Sequence, residues 1–264
     1  MESRRWLVDK FEEAGLEATI DGVATVFGPA SVLFGTVVMP HPELLILFIA
    51  AAFVWMVAMT LTSFAWLALG ALPTASQLVA TVVVGAVLQE GGRWAVYEVY
   101  ARLLRGLAAA GLERALPQLS SSGRLASAAV TSGLSFGLAQ ALVVYGTLLP
   151  ASFQPGGLYS DGCETLSLFG VNALGALGML VLNVVLSLLG WTAAFPRRSP
   201  PHLAALVVLH ALASGCTLLN SSAVIERGGC SVGLPCLAAV VAAATAITAA
   251  ICWRRLRFSR LVPS

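Results

Sequence analysis

The chain has 264 residues, 58% of them hydrophobic and 11% charged, with a mean hydropathy of +0.87. A water-soluble domain of this size needs a polar shell that such a composition does not supply, so a soluble globular protein is excluded. The net charge of +2 balances 15 basic against 13 acidic residues, and the basic ones fall in short loops instead of lining one face, which excludes a nucleic-acid surface.

Residues 1–20, MESRRWLVDKFEEAGLEATI, are too charged for a secretory signal peptide. Arg4, Arg5 and Lys10 are diluted by Glu2, Asp9, Glu12, Glu13 and Glu17, which argues against a basic membrane anchor and for an exposed N-terminal tail. Seven apolar segments follow, at Gly22–Met39, Leu44–Leu69, Gln77–Leu104, Leu125–Leu149, Leu166–Phe195, Leu203–Leu219 and Val232–Trp253. Each has the length that a tilted helix needs to cross ~30 Å of hydrocarbon. Between them stand turn-rich stretches: PHP at 40–42, GALPTAS at 70–76, PASFQPGG at 150–157 and PRRSPP at 196–201. Strands of a membrane barrel would alternate apolar and polar residues, and that pattern is missing. The sequence therefore predicts an all-α polytopic membrane protein, a bundle of seven transmembrane helices over 21–255, closed by a basic tail at 256–264.

Arginine placement orients the bundle. With seven spans, Arg102, Arg105, Arg114, Arg124, Arg197, Arg198, Arg254, Arg255, Arg257 and Arg260 share one side. That side is cytosolic, with the C-terminus, and the N-terminus is lumenal or extracellular. Removing one span would scatter these ten arginines over both faces. The sequon Asn220-Ser221-Ser222 then lies in a lumenal loop as a candidate glycosylation site. Cys163 and Cys230 also fall on lumenal loops, where they either pair or stay free, while Cys216, Cys236 and Cys252 read as small buried apolar residues. No Cys/His spacing points to zinc, and neither metal nor cofactor is expected.

Polar residues inside spans mark function or internal pairing, because each ionisable group there costs ~3 kcal/mol or more. The third span contains LQEGGRW, with Gln89, Glu90 and Arg93. Glu90 and Arg93 are three apart on one face, an ion pair or the start of a network to another helix. Asn183 lies within the fifth span, and His210 and Ser214 one turn apart in the sixth. Each needs a hydrogen-bond partner in lipid. The fourth span carries TSGLSFGLAQA, residues 131–141, which spells G-x-S-x-G. A nucleophile elbow requires a strand turning sharply into a helix, whereas both flanks here are helix-forming. No catalytic residue is assigned. Gly133, Gly137 and Ala141 recur every four residues, a small-residue stripe that lets another backbone approach. With Ser132, Ser135 and Gln140 beside it, the segment reads as a face for docking partner helices.

The SGLSFG block at 132–137 resembles the signature of the anterior-pharynx-defective subunit of gamma-secretase. FGPA (Phe27–Ala30), FVW (Phe53–Trp55), LQE..R (Leu88–Arg93) and LHALASG.T.LN (Leu209–Asn220) occur in the matching order. The resemblance implies a non-catalytic scaffold that joins nicastrin, presenilin and the presenilin-enhancer subunit. The assembly, placed in endoplasmic reticulum, Golgi, endosomal or plasma membrane, cuts single-span proteins such as Notch-type receptors and amyloid-precursor-like proteins with presenilin's aspartates. His210 matches the family's histidine in the sixth span, whereas its companion in the fifth is replaced in the region of Asn183 and Ser187. The third glycine of the family's stripe is Ala141 here. A more distant likeness to glutamate-dependent intramembrane proteases leaves an alternative, hydrolysis by Glu90 with His210 assisting. A transporter would show repeated halves with broken helices, and none is found.

Overall fold

The computed structural model describes residues 20–112, 121–152, 163, 166–219 and 229–261. The described residues form seven helices: α1 Ile20–Val38, α2 Pro42–Ala68, α3 Thr74–Ala109, α4 Ser121–Ser152, α5 Leu168–Arg197, α6 Pro200–Leu218 and α7 Cys230–Leu261. All but α3 are long and apolar enough to cross a membrane. At 36 residues α3 is the longest of the seven, ample in length at 1.5 Å per residue. Its apolar run is diluted by Gln77, Gln89, Glu90 and Arg93, which it buries against its neighbours. The chain is a multi-pass membrane protein.

Local chemistry sets several helix ends. Prolines occupy the first turns of α2 and α6, where the missing N–H has no intrahelical partner to lose. Ser167, in extended conformation, caps α5 by accepting from the Gly170 N–H at 3.0 Å. Near its end α5 widens to a π-helical stretch, Gly190–Ala194. A Cβ at Gly190 would lie 2.6 Å from the Phe195 ring, so glycine is what lets this ring fold back onto the helix. Arg198, left-handed at φ 47°, ends α5, and the extended Ser199 leads straight into α6.

Three expected boundaries are revised. The break expected at Pro150 is not one, since α4 runs on to Ser152. Pro196 lies inside the last turn of α5, so the PRRSPP break narrows to Arg198 and Ser199. The basic segment expected as a tail from 256 continues α7 as helix to Leu261. The N-terminal tail through residue 19, Asn220 and Arg114 lie outside the described residues.

The bundle is built around two helices. More than half of the apolar stretch of α4 (56%) and of α5 (61%) is buried, against 17–28% in the other apolar helices. Their contact runs along the small-residue stripe. A Cβ at Gly133 would stand 2.5 Å from the Val184 Cα and 2.6 Å from the Asn183 carbonyl oxygen; one at Gly137 would stand 2.8 Å from the Leu180 Cα. Ala141, one step further, is buried with Val26, Tyr145, Ala173 and Ala176. The stripe expected to dock a neighbouring subunit is thus filled by α5 of the same chain. Two glycines let the backbones approach closely enough to gain dispersion contacts that lipid does not replace. Outward, α2 presents Ile46, Phe53, Phe64 and Leu67, exposed as lipid-facing residues are.

Candidate functional site: a polar cluster sealed in the bundle

Arg93 is the centre of the molecule's polar interior and is fully buried. Its Nε donates to Glu90 Oε2 at 3.1 Å, and its Nη2 to Glu90 Oε1 at 3.3 Å and to Asn183 Oδ1 at 2.8 Å. Its Nη1 donates to the Asn183 carbonyl oxygen at 2.9 Å and to the Ser187 hydroxyl. A guanidinium has five N–H donors, and all five find acceptors here. The Phe136 ring lies 4.8 Å below the guanidinium carbon, adding a cation–π contact from α4.

The cluster extends in both directions. His210 Nδ1 on α6 lies 2.7 Å from Glu90 Oε1. The carboxylate is the acceptor, which puts a ring proton on Nδ1. On the other side the Asn183 amide donates to the Met179 carbonyl at 2.9 Å and to Gln140 Oε1 at 3.1 Å. One continuous network therefore joins α3, α4, α5 and α6. Gln89, on the next face of α3, accepts from Trp55 Nε1 at 3.1 Å and reaches Met59 Sδ at 3.7 Å, which ties in α2. The spacing of Glu90 and Arg93 makes the pair geometrically possible on one helix; the three neighbouring helices make it tolerable in a dry interior.

Ser135 is placed elsewhere. It is buried in mid-helix and donates to the Phe48 carbonyl of α2 at 2.6 Å. Its hydroxyl proton is committed to main chain, and the cluster's histidine is bonded to Glu90, so no base serves it. Ser132 is buried in the α4 core, and its hydroxyl, like Thr131 Oγ1 and His210 Nε2, has no partner among the described residues. Ser214 lies outside the cluster and contributes its carbonyl to the Thr217 hydroxyl at 2.7 Å. Among the described residues no group of three His, Cys, Asp or Glu could hold a metal ion.

Cys163 and Cys230 are joined as a disulfide, with Cα atoms 5.4 Å apart. The bond ties the segment before α5 to the first residue of α7, and both cysteines are buried beside Val171. Cys216, Cys236 and Cys252 are free thiols.

Two contributions to the network were not foreseen from sequence. Trp55 supplies the partner for Gln89, and Gln140, expected on a face for docking partner helices, is the partner for Asn183 of the same chain. The only signal for either was a polar group in an apolar run, since the helix that each one faces depends on rotations that periodicity does not specify.

Residues 19–255 match the family model described as Aph-1 protein. The chain is 25% identical over 247 residues to an Arabidopsis thaliana protein named gamma-secretase subunit APH1-like, covering 92% of this chain and 96% of the plant protein. It is 29% identical over 200 residues to gamma-secretase subunit Aph-1 of Drosophila melanogaster, covering 74% and 78% of the two chains. It is 28% identical over 201 residues to gamma-secretase subunit Aph-1b of Danio rerio, covering 74% and 75%. The family match spans α1 to α6, α7 as far as residue 255 and the whole buried cluster, and on that ground the chain belongs to the Aph-1 family.

Proposed function

We propose that this chain is a non-catalytic scaffold subunit of a gamma-secretase complex. In this reading it has seven spans, α3 included, with a lumenal N-terminus and a cytosolic C-terminus, and residues 21–255 form one membrane domain between two tails. Its partners are nicastrin, presenilin and the presenilin-enhancer subunit, and presenilin supplies the catalysis. The substrates are single-span proteins of the Notch-receptor and amyloid-precursor-like kind, in endoplasmic reticulum, Golgi, endosomal or plasma membrane. The observation that carries the reading is the closed polar cluster: five guanidinium donors and both Glu90 oxygens are spent on holding α3, α5 and α6 together, and Asn183 carries the network on to Gln140 of α4. A body fixed in this way suits a platform whose outward faces receive other subunits. Affinity purification of the full chain in mild detergent tests it. The three partner subunits are expected to co-elute, and a chain that elutes without them contradicts the proposal.

A second reading, a glutamate-dependent hydrolase, is favoured by one observation: Glu90 and His210 are in contact at 2.7 Å. A glutamate acting as base needs a free carboxylate oxygen facing a water and a substrate. Here Arg93 and His210 occupy both oxygens, and the group is only 5% exposed. Scaffold is the better reading.

A further inference from the structure

We propose that the end of the bundle where α3, α4 and α5 meet binds one anionic glycerophospholipid, its phosphate among Arg105, Arg198 and two tyrosines and an acyl chain along α2 and α3. A cavity of about 430 Å³ opens there, lined by Tyr97, Tyr100, Arg105, Arg198 and Glu98. Glu98 is the acid of this wall and is already paired, with Arg198 at 2.9 Å and Arg102 at 3.9 Å. Arg105, whose Nε donates to the Ala101 carbonyl at 3.2 Å, is the second arginine of the wall, so two arginines and one carboxylate line the cavity and leave a net positive mouth that one phosphate group complements. The tyrosine rings are held by packing: Tyr97 on Trp191 and Phe195, at 5.4 and 5.5 Å, and Tyr100 on Trp191 at 5.4 Å. Their hydroxyls make no hydrogen bond among the described residues and are placed to donate to an anion.

The neighbouring space explains why the anion is a lipid. A second cavity, of about 380 Å³, runs between α2 and α3 past Leu47, Val96 and Val99. Its single charged residue, Glu43, is half exposed and lies 3.7 Å from His41. The two cavities share Tyr100 and Leu104 in their walls, so a charged pocket lies directly beside an apolar groove. That sequence of polar then oily lining matches a headgroup followed by a chain, and a soluble anion leaves the groove unfilled. The arginines mark the side that carries anionic lipid in cell membranes.

Native mass spectrometry of the full chain, released from neutral detergent with dioleoyl phosphatidylserine or dioleoyl phosphatidylcholine, tests the assignment. The wild-type chain is expected to retain phosphatidylserine about thirtyfold more than phosphatidylcholine, the scale expected from two arginines at a membrane surface. Arg105→Gln/Arg198→Gln is expected to abolish that preference. Val99→Trp, at an exposed groove position, is expected to lower retention with the arginines intact. Unchanged melting of both variants in detergent separates lost binding from lost fold. Equal retention of the two lipids, an unaffected double variant, or displacement by millimolar inorganic phosphate alone would overturn the assignment, as would capture of a carboxylate-ended peptide in place of lipid.

Discussion

At the scale of single residues the account turns on Arg93. A guanidinium in a dry bundle is a burden unless every donor is met, and removing one member of a buried pair leaves the other charge uncompensated. Arg93→Met, which keeps the volume and strands Glu90, is expected to destabilise the chain by about 3–5 kcal/mol, read as a lower melting temperature and yield in detergent. Adding Glu90→Gln to Arg93→Met is expected to recover part of that loss, because the stranded charge is gone. Strictly additive losses in the two single variants and the double would show that the pair is uncoupled. His210→Leu removes a single bond to a carboxylate that Arg93 still holds, so it is expected to cost less than Arg93→Met. Sequence alone displays the raw material here: Glu90 and Arg93 sit one turn apart, and His210 and Asn183 are isolated in oily runs. It does not display their meeting, because α3, α5 and α6 become neighbours only through the packing of the whole bundle. Ser135 illustrates the opposite case, since its G-x-S-x-G setting draws attention to a hydroxyl that does no more than satisfy the Phe48 carbonyl.

At the scale of elements the decisive contact is α4 on α5. Gly133→Ala puts a Cβ against backbone atoms at 2.5 and 2.6 Å, which no rotamer change relieves. The helices must separate, and overpacking of this kind costs about 1–3 kcal/mol. Gly146→Ala, on the same helix with open space around its Cβ position, is the control and is expected to be neutral or slightly stabilising. A melt that drops equally for both would refute the close approach. Ser135→Ala loses one hydrogen bond to a carbonyl and is expected to cost only about 1 kcal/mol. The stripe was legible as a packing surface because four-residue spacing places small residues on one side of any helix. Its occupant was not, because small-xxx-small describes one surface and is silent on whether the second helix comes from this chain or another. Prolines misled for a related reason: Pro150 and Pro196 break an isolated helix, yet near a helix end the lost bonds are few and neighbouring packing carries the chain past them.

At the scale of the whole molecule, a buried polar lock in the interior and apolar helices exposed outside describe a membrane body whose fold is fixed from within. The membrane class and helical architecture follow from composition and segment length, because a bilayer admits few alternatives. The span count is the place where composition is least decisive: α3 lowers its own hydropathy by carrying the residues that organise the interior. The claim that this body holds a protease together without cleaving bonds itself is tested most directly by proteolysis with the purified chain alone, reconstituted in liposomes with a single-span peptide substrate, as wild type and as Glu90→Gln. The account predicts no cleavage from either. Cleavage by the wild-type chain that disappears in Glu90→Gln would contradict it.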